Sequence, residues 1–205
     1  MSDARDPAIA LIEFSSIAVG IVAGDAMVKA SPLGSIYTGT VHPGKYLVLV
    51  SGDTASVDEG LSVGLTRGGG HVIASVFLPD IHPDVTTALT TPETAAPVGD
   101  LALGIVETPN VAAVIDAADA GVKAAVVTLD AVRMADGLGG KGYALFSGEV
   151  ADVEAALESA ALRVDGTPGV IIEVIPQLHA EMAENLRRDV HFMTRVEQRD
   201  GEREA

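Results

Sequence analysis

The sequence predicts an α+β fold made twice, as two tandem βαββαβ units. Two observations carry this. Five segments recur in the same order at nearly the same spacing, and each copy alternates short apolar runs with helical apolar stripes in one fixed order. Leu11-Ile12-Glu13 returns 94 positions later as Ile105-Val106-Glu107, and Gly24-Asp25-Ala26-Met27-Val28-Lys29-Ala30 at the same offset as Ala118-Asp119-Ala120-Gly121-Val122-Lys123-Ala124. Gly44-Lys45 and Ser51-Gly52-Asp53 return 96 positions on as Gly140-Lys141 and Ser147-Gly148-Glu149. Leu78-Pro79-Asp80-Ile81-His82 returns after 97 as Ile175-Pro176-Gln177-Leu178-His179. A slowly growing offset is what small loop insertions between homologous copies produce. The domains are set at residues 8–88 and 99–185, with a linker at 89–98 inside the Thr-, Pro- and Ala-rich joint Thr87 to Asp100. A tail at 186–205 is dense in charges of both signs and reads as a solvated or frayed segment.

Each copy opens with an apolar strand run, Ala8 to Phe14 and Leu101 to Glu107. A helix follows. Ile17, Ile21, Gly24 and Val28 fall at i, i+4, i+7 and i+11, as do Val111, Ile115, Ala118 and Val122, so each helix carries one apolar stripe. Ser16 and Asn110 stand where a side-chain oxygen caps the first free N–H groups. A second strand covers Gly34 to Thr40, or Ala125 to Met134. A glycine-containing loop leads to a third at Lys45 to Val50, or Tyr143 to Phe146. The second helix spans Thr54 to about Leu65, or Val150 to Leu162, and the last strand Val72 to Leu78, or Val170 to Ile175. This order is the split βαβ, ferredoxin-like arrangement, with both helices on one face of a four-stranded antiparallel sheet. The other face is covered by something else or left wet.

Composition narrows the function. The 205 residues are 48% hydrophobic but only 3% aromatic, with no Trp, which suits neither an aromatic ligand pocket nor a base-stacking surface. A net charge of −16 argues against nucleic acid and against an anionic membrane surface. No window approaches 18 uninterrupted apolar residues, and the first residues lack the basic-then-apolar plan of a signal peptide, so a soluble cytoplasmic protein is expected. Without cysteine there is no thiolate nucleophile and no cysteine-held cluster. No Ser–His–Asp set or carboxylate pair can be argued, so no catalytic residue is assigned, and no metal or cofactor. Gly39-x-x-x-x-Gly44-Lys45 mimics a phosphate loop, but Tyr46 stands where Ser or Thr belongs, and a strand run follows where a helix should start.

The strand ending in Glu, the Ala-Asp-Ala-x-Val-Lys-Ala helix, the glycine loop, Ser-Gly-Asp/Glu before the second helix, and Pro-x-x-His together resemble the bacterial microcompartment shell domain. Both repeats show the pattern, in unpermuted order. The resemblance implies the tandem, trimer-forming class: a homotrimer acting as a pseudohexameric tile with a central pore, no catalysis, and assembly with other microcompartment shell proteins in a cytoplasmic shell. It places His42, Pro43, Gly44, Lys45 and their mates Leu138, Gly139, Gly140, Lys141 around the pore. There the lysines are expected to add positive charge that draws small anionic metabolites in transit. It places Lys29 and Lys123 at the tile edge, held by Asp25 and Asp119 one helical turn earlier, with His82 and His179 nearby at the strand exits. Two departures stand out. Asp80 and Gln177 follow the prolines where the family often has Arg, which puts the lateral contact in doubt. The absence of cysteine excludes the pore iron–sulfur cluster of some tandem members. The competing reading is a ferredoxin-like regulatory protein that binds a small ligand between its domains.

Overall fold

A computed structural model describes residues 7–90 and 100–187. The linker beyond Thr90 and the tail beyond Arg187 lie outside the described residues. In the first domain β1 (Ala8–Phe14), α1 (Ile17–Ala30), β2 (Ser35–Val41), β3 (Lys45–Gly52), α2 (Thr54–Gly68) and β4 (Val72–Leu78) are followed by a short helix, α3 (Pro83–Thr90). The second domain repeats the order with β5 (Ala102–Thr108), α4 (Val111–Ala124), β6 (Thr128–Met134), β7 (Gly142–Gly148), α5 (Val150–Arg163), β8 (Ile171–Ile175) and α6 (Ala180–Arg187). The two antiparallel sheets have matching strand orders, β2-β3-β1-β4 and β6-β7-β5-β8.

The caps form where the sequence places them. Ser16 and Asn110 accept from the N–H groups of Val19 and Ala113. Asp53 accepts from Ala55 and Ser56 at the start of α2, and the Ser56 hydroxyl donates to the same carboxyl, which holds it below the usual carboxylate range. Strand alternation sends Ala8, Ala10, Ile12 and Phe14 to the helix-covered inner face, where they pack with Ala23, Met27, Val48, Val50, Val57 and Leu61. The inner core of the second domain is built likewise from Val106, Leu129, Val132, Phe146, Val153 and Leu157.

The structure adds two helices and moves one strand start. α3 and α6 follow the last strand of each repeat, so the first residues of the Thr-rich joint, Thr87 to Thr90, are helical. Each begins with a histidine cap: the ring Nδ1 of His82 accepts from Asp84 N–H, and that of His179 from Glu181 N–H, both at 3.2 Å. β6 starts at Thr128, later than Ala125, and contains a register shift between Leu129 and Ala131. The extra residue is Asp130; the repeat offset grows from 94 to 96 in the hairpin loop, where Thr40 pairs with Tyr46 but Met134 with Gly142.

Candidate functional site

The two apolar helical stripes meet different fates. On α4, Val111, Ile115, Ala118 and Val122 are all buried, and almost the whole helix with them. One side of α4 packs on its own sheet; the other lies across β4 and β1 of the first domain. A helix that is apolar all round is a helix covered all round. The outer face of the first sheet, with Ile9, Leu11, Val76 and Leu78, is thereby closed by α4 together with Ile81 and Val85 from around α3. On α1 the inner side is made of small residues, Gly20, Ala23 and Gly24, with Met27. The large residues of the stripe face outward: Ile17 is 40%, Ile21 53% and Val28 43% exposed, and Val22 beside them is open as well, while Gly24 is buried. The matching outer row of the second domain on β8, Ile171, Glu173 and Ile175, is not covered as Val76 and Leu78 are. Only its inboard part is shielded, by Leu178 and Ala183 against Leu103, Ala131 and Leu145.

Polar contacts pin both ends of α4. At its N-terminus the fully buried Glu13 accepts from the Val111 N–H at 2.9 Å through Oε2, and from Lys45 Nζ at 2.5 Å through Oε1. Lys45 also donates to the Gly140 carbonyl. A buried carboxylate is tolerable here because it has a cation and a helix N-terminus as partners. At the other end Asp119 accepts from the His82 N–H at 2.8 Å and from Lys123 at 2.6 Å, and Lys123 donates to the Asp80 carbonyl as well.

The loops expected at the pore come together. The β2–β3 loop of the first domain touches the β6–β7 loop of the second: the backbone N–H of His42 donates to Asp136 Oδ1 at 3.0 Å, and its ring Nδ1 lies 3.3 Å from the same oxygen. A Cβ at Gly140 would meet Lys45 Nζ at 2.8 Å and Pro43 at 3.0 Å, and Gly140 has φ 86, so this approach and this turn need glycine. An open cleft of about 660 Å³ is bordered by Ile17, Thr40, His42, Gly44 and Asp136. The lysines depart from the expectation of free positive charge. Lys45 is matched by Glu13, and Lys141 donates to Glu107 at 2.6 Å. The phosphate-loop mimic is a hairpin, β2 running directly into β3.

The residues expected at a tile edge divide. Asp25 and Lys29 form the exposed i, i+4 pair at 2.6 Å. Asp119, Lys123 and His82 meet one another at the junction between the domains, and His179 caps α6. Sequence reading missed Asp136, and also Glu13 as the partner of Lys45, although both glutamates stand in the quoted repeat. It also missed Asp130, a buried carboxyl that receives one bond from Ser147 Oγ and has its second oxygen unpaired; burial pushes it up to about 6. Among the described residues no His, Asp and Glu cluster of three or more forms a metal site, and no helix is long and apolar enough to cross a membrane.

The comparisons agree with this architecture. The BMC domain family matches twice, at residues 8–81 and 102–177. The chain is 40% identical over 177 residues to the bacterial microcompartment shell protein PduT of Citrobacter freundii, covering 85% of this chain and 95% of that protein. A crystal structure of a microcompartment protein from Desulfitobacterium hafniense superposes with TM-score 0.72 at 37% identity, over 86% of this chain and 98% of that one. A fused permuted hexameric shell protein from the RMM microcompartment, 21% identical with TM-score 0.56 over 78% of this chain and 82% of its own, shares the fold. With two matched domains, a close shell-protein relative and a structural rather than catalytic character, this chain belongs to the bacterial microcompartment shell proteins, as a tandem BMC-domain member.

Proposed function

We propose that three copies of this chain close head to tail into a six-lobed tile of a microcompartment shell, with a central pore for small metabolites. One observation carries the reading: α4 buries its apolar stripe on the first domain, while α1 presents the same stripe to solvent and the second domain leaves the matching sheet row open. Each chain therefore has one unfilled knob and one unfilled seat, and such a heterologous contact propagates until a ring closes. With two lobes per chain, a six-lobed ring takes three. A ligand-regulated reading is disfavoured, since Val111, Ile115 and Val122 of α4 pack between the domains and the recess of about 200 Å³ that remains beside Leu49, Leu89 and Ile115 is largely apolar.

Around the three-fold axis the His42–Gly44 and Leu138–Gly140 segments alternate and line the opening. Because Lys45 and Lys141 are offset by Glu13 and Glu107, any preference for anionic metabolites rests on backbone N–H groups of the glycine turns, with His42, Asp136 and the Glu107-paired Lys141 as the exposed loop groups. Lys29 and Lys123 are proposed for the lateral contact between tiles. Electron microscopy of the purified protein tests the function: extended hexagonal layers, tubes or closed shells are expected, alone or with other shell proteins, and particles that never associate laterally contradict it.

A further inference from the structure

Resting on the trimeric reading, we infer that Glu107 of one chain is the N-terminal cap of α1 in the next, gripping the backbone N–H of Ile17 across the seam between chains. Inside the chain the same device is already assembled. Glu13, on the outer face of β1, sends one oxygen to Lys45 and the other to the first N–H of α4, on Val111. Glu107 occupies the same place on β5, since Glu13 pairs with Leu47 of β3 and Glu107 with Tyr143 of β7, each next to the hairpin loop. It holds its repeat-mate lysine in the same way, Lys141 on Oε1. What differs is the occupant. Glu13 is fully buried and Lys45 17% exposed, while Glu107 is 36% and Lys141 57% exposed.

The missing occupant is defined by the repeat. Ile17 stands 94 positions before Val111 and is likewise the first residue of its helix, after a serine cap whose side chain serves Val19 and not Ile17. α1 is 14 residues long and ends, like α4, in an Asp–Lys pair. A second copy therefore brings to Glu107 the group that α4 brings to Glu13, and its Gly44 carbonyl to Lys141 as Gly140 is brought to Lys45. The carboxylate then faces an N–H with the positive end of a helix behind it, a charge-assisted bond in a dry seam. Asp25 on α1 and the His179 N–H stand in the places of Asp119 and the His82 N–H and form the outer pin of the same seam.

A double-mutant cycle tests the bond without relying on a single disruptive change. Ile17→Pro removes the N–H; proline is tolerated there, because Ile17 is the first helical residue and Ser16 before it is extended at φ −124, ψ 123. Ile17→Ala truncates the same side chain and keeps the N–H. Glu107→Ala is combined with each, and trimer dissociation is followed by mass photometry on dilution, with circular dichroism confirming that the chain remains folded. In the alanine background Glu107→Ala is expected to weaken the trimer about tenfold; in the proline background it changes dissociation less than about twofold. Equal effects in both backgrounds, or none in either, overturn the cap while leaving the trimer standing. A wild-type chain that stays monomeric overturns both.

Discussion

α1 and α4 are repeat mates of equal length with the same apolar stripe, the same kind of cap and the same terminal Asp–Lys pair. One lies buried between two sheets and the other lines the outside of the chain. Ile115 is fully buried and its mate Ile21 half exposed. The difference shows what an amphipathic period measures. It says which side of a helix is apolar and nothing about whose surface covers it. In a duplicated chain the covered copy is a template for the uncovered one, and in the proposed trimer the seam inside the chain describes the seam between chains.

The sharpest way to break the comparison is to place a charge on each stripe. Ile115→Asp buries an unpaired carboxylate between the domains and is expected to destabilise the fold by roughly 4 kcal/mol or more, measured by urea unfolding. Ile21→Asp changes a position that is open in the single chain, so the stability of the monomer stays within about 0.5 kcal/mol. Equal losses would mean that the two stripes are not differently covered.

A smaller contrast lies at the C-terminal ends of the two helices. Asp119→Ala strips the His82 N–H and Lys123 of their shared partner in a mostly buried place and is expected to cost about 2 kcal/mol. Asp25→Ala opens only an exposed pair, about 0.3 kcal/mol within the chain. Lys29→Glu is expected to leave the single chain folded, to loosen the trimer at the outer pin of its seam, and to suppress lateral layers in electron micrographs. Lys123→Glu also loosens the junction, because the Asp80 carbonyl loses its donor.

Asp130 separates the two domains by pH. Its carboxyl is raised to about 6 by burial, with the Ser147 hydroxyl opposing, and the first domain has Ser35 and Ser51 hydroxyls in contact at the corresponding place. The folded state holds this proton more tightly than the unfolded chain. The penalty of ionisation is therefore absent below about pH 4, grows between 4 and 6 and is complete above 6, with an upper size of about 3 kcal/mol. Asp130→Asn should raise stability at pH 7.5 and leave it nearly unchanged at pH 4. A variant that tracks the parent at both values would contradict the assignment.

Most of the fold was legible because duplication supplies each signal twice. Strand runs, caps and helix starts fall within a few residues of their positions. The short helices α3 and α6 escaped because eight residues each are too few to show a helical stripe; His82 capping a helix that opens on proline was the available signal. The bulge at Asp130 hid inside an offset that drifts anyway. The two glycine loops proposed for the pore were legible as turns, because only a tight turn or close backbone approach requires those glycines. Their electrostatics were not, because Glu13 and Lys45 are 32 positions apart and meet only through the pairing of β1 with β3.

The central claim is that the exposed stripe of α1 packs on the open sheet row of the next chain. Native mass spectrometry of the parent chain and of Ile21→Asp, at the same micromolar concentration, tests it most directly. The account predicts three chains per particle for the parent and a folded single chain for the variant. A monomeric parent, or a variant that remains trimeric, would contradict it.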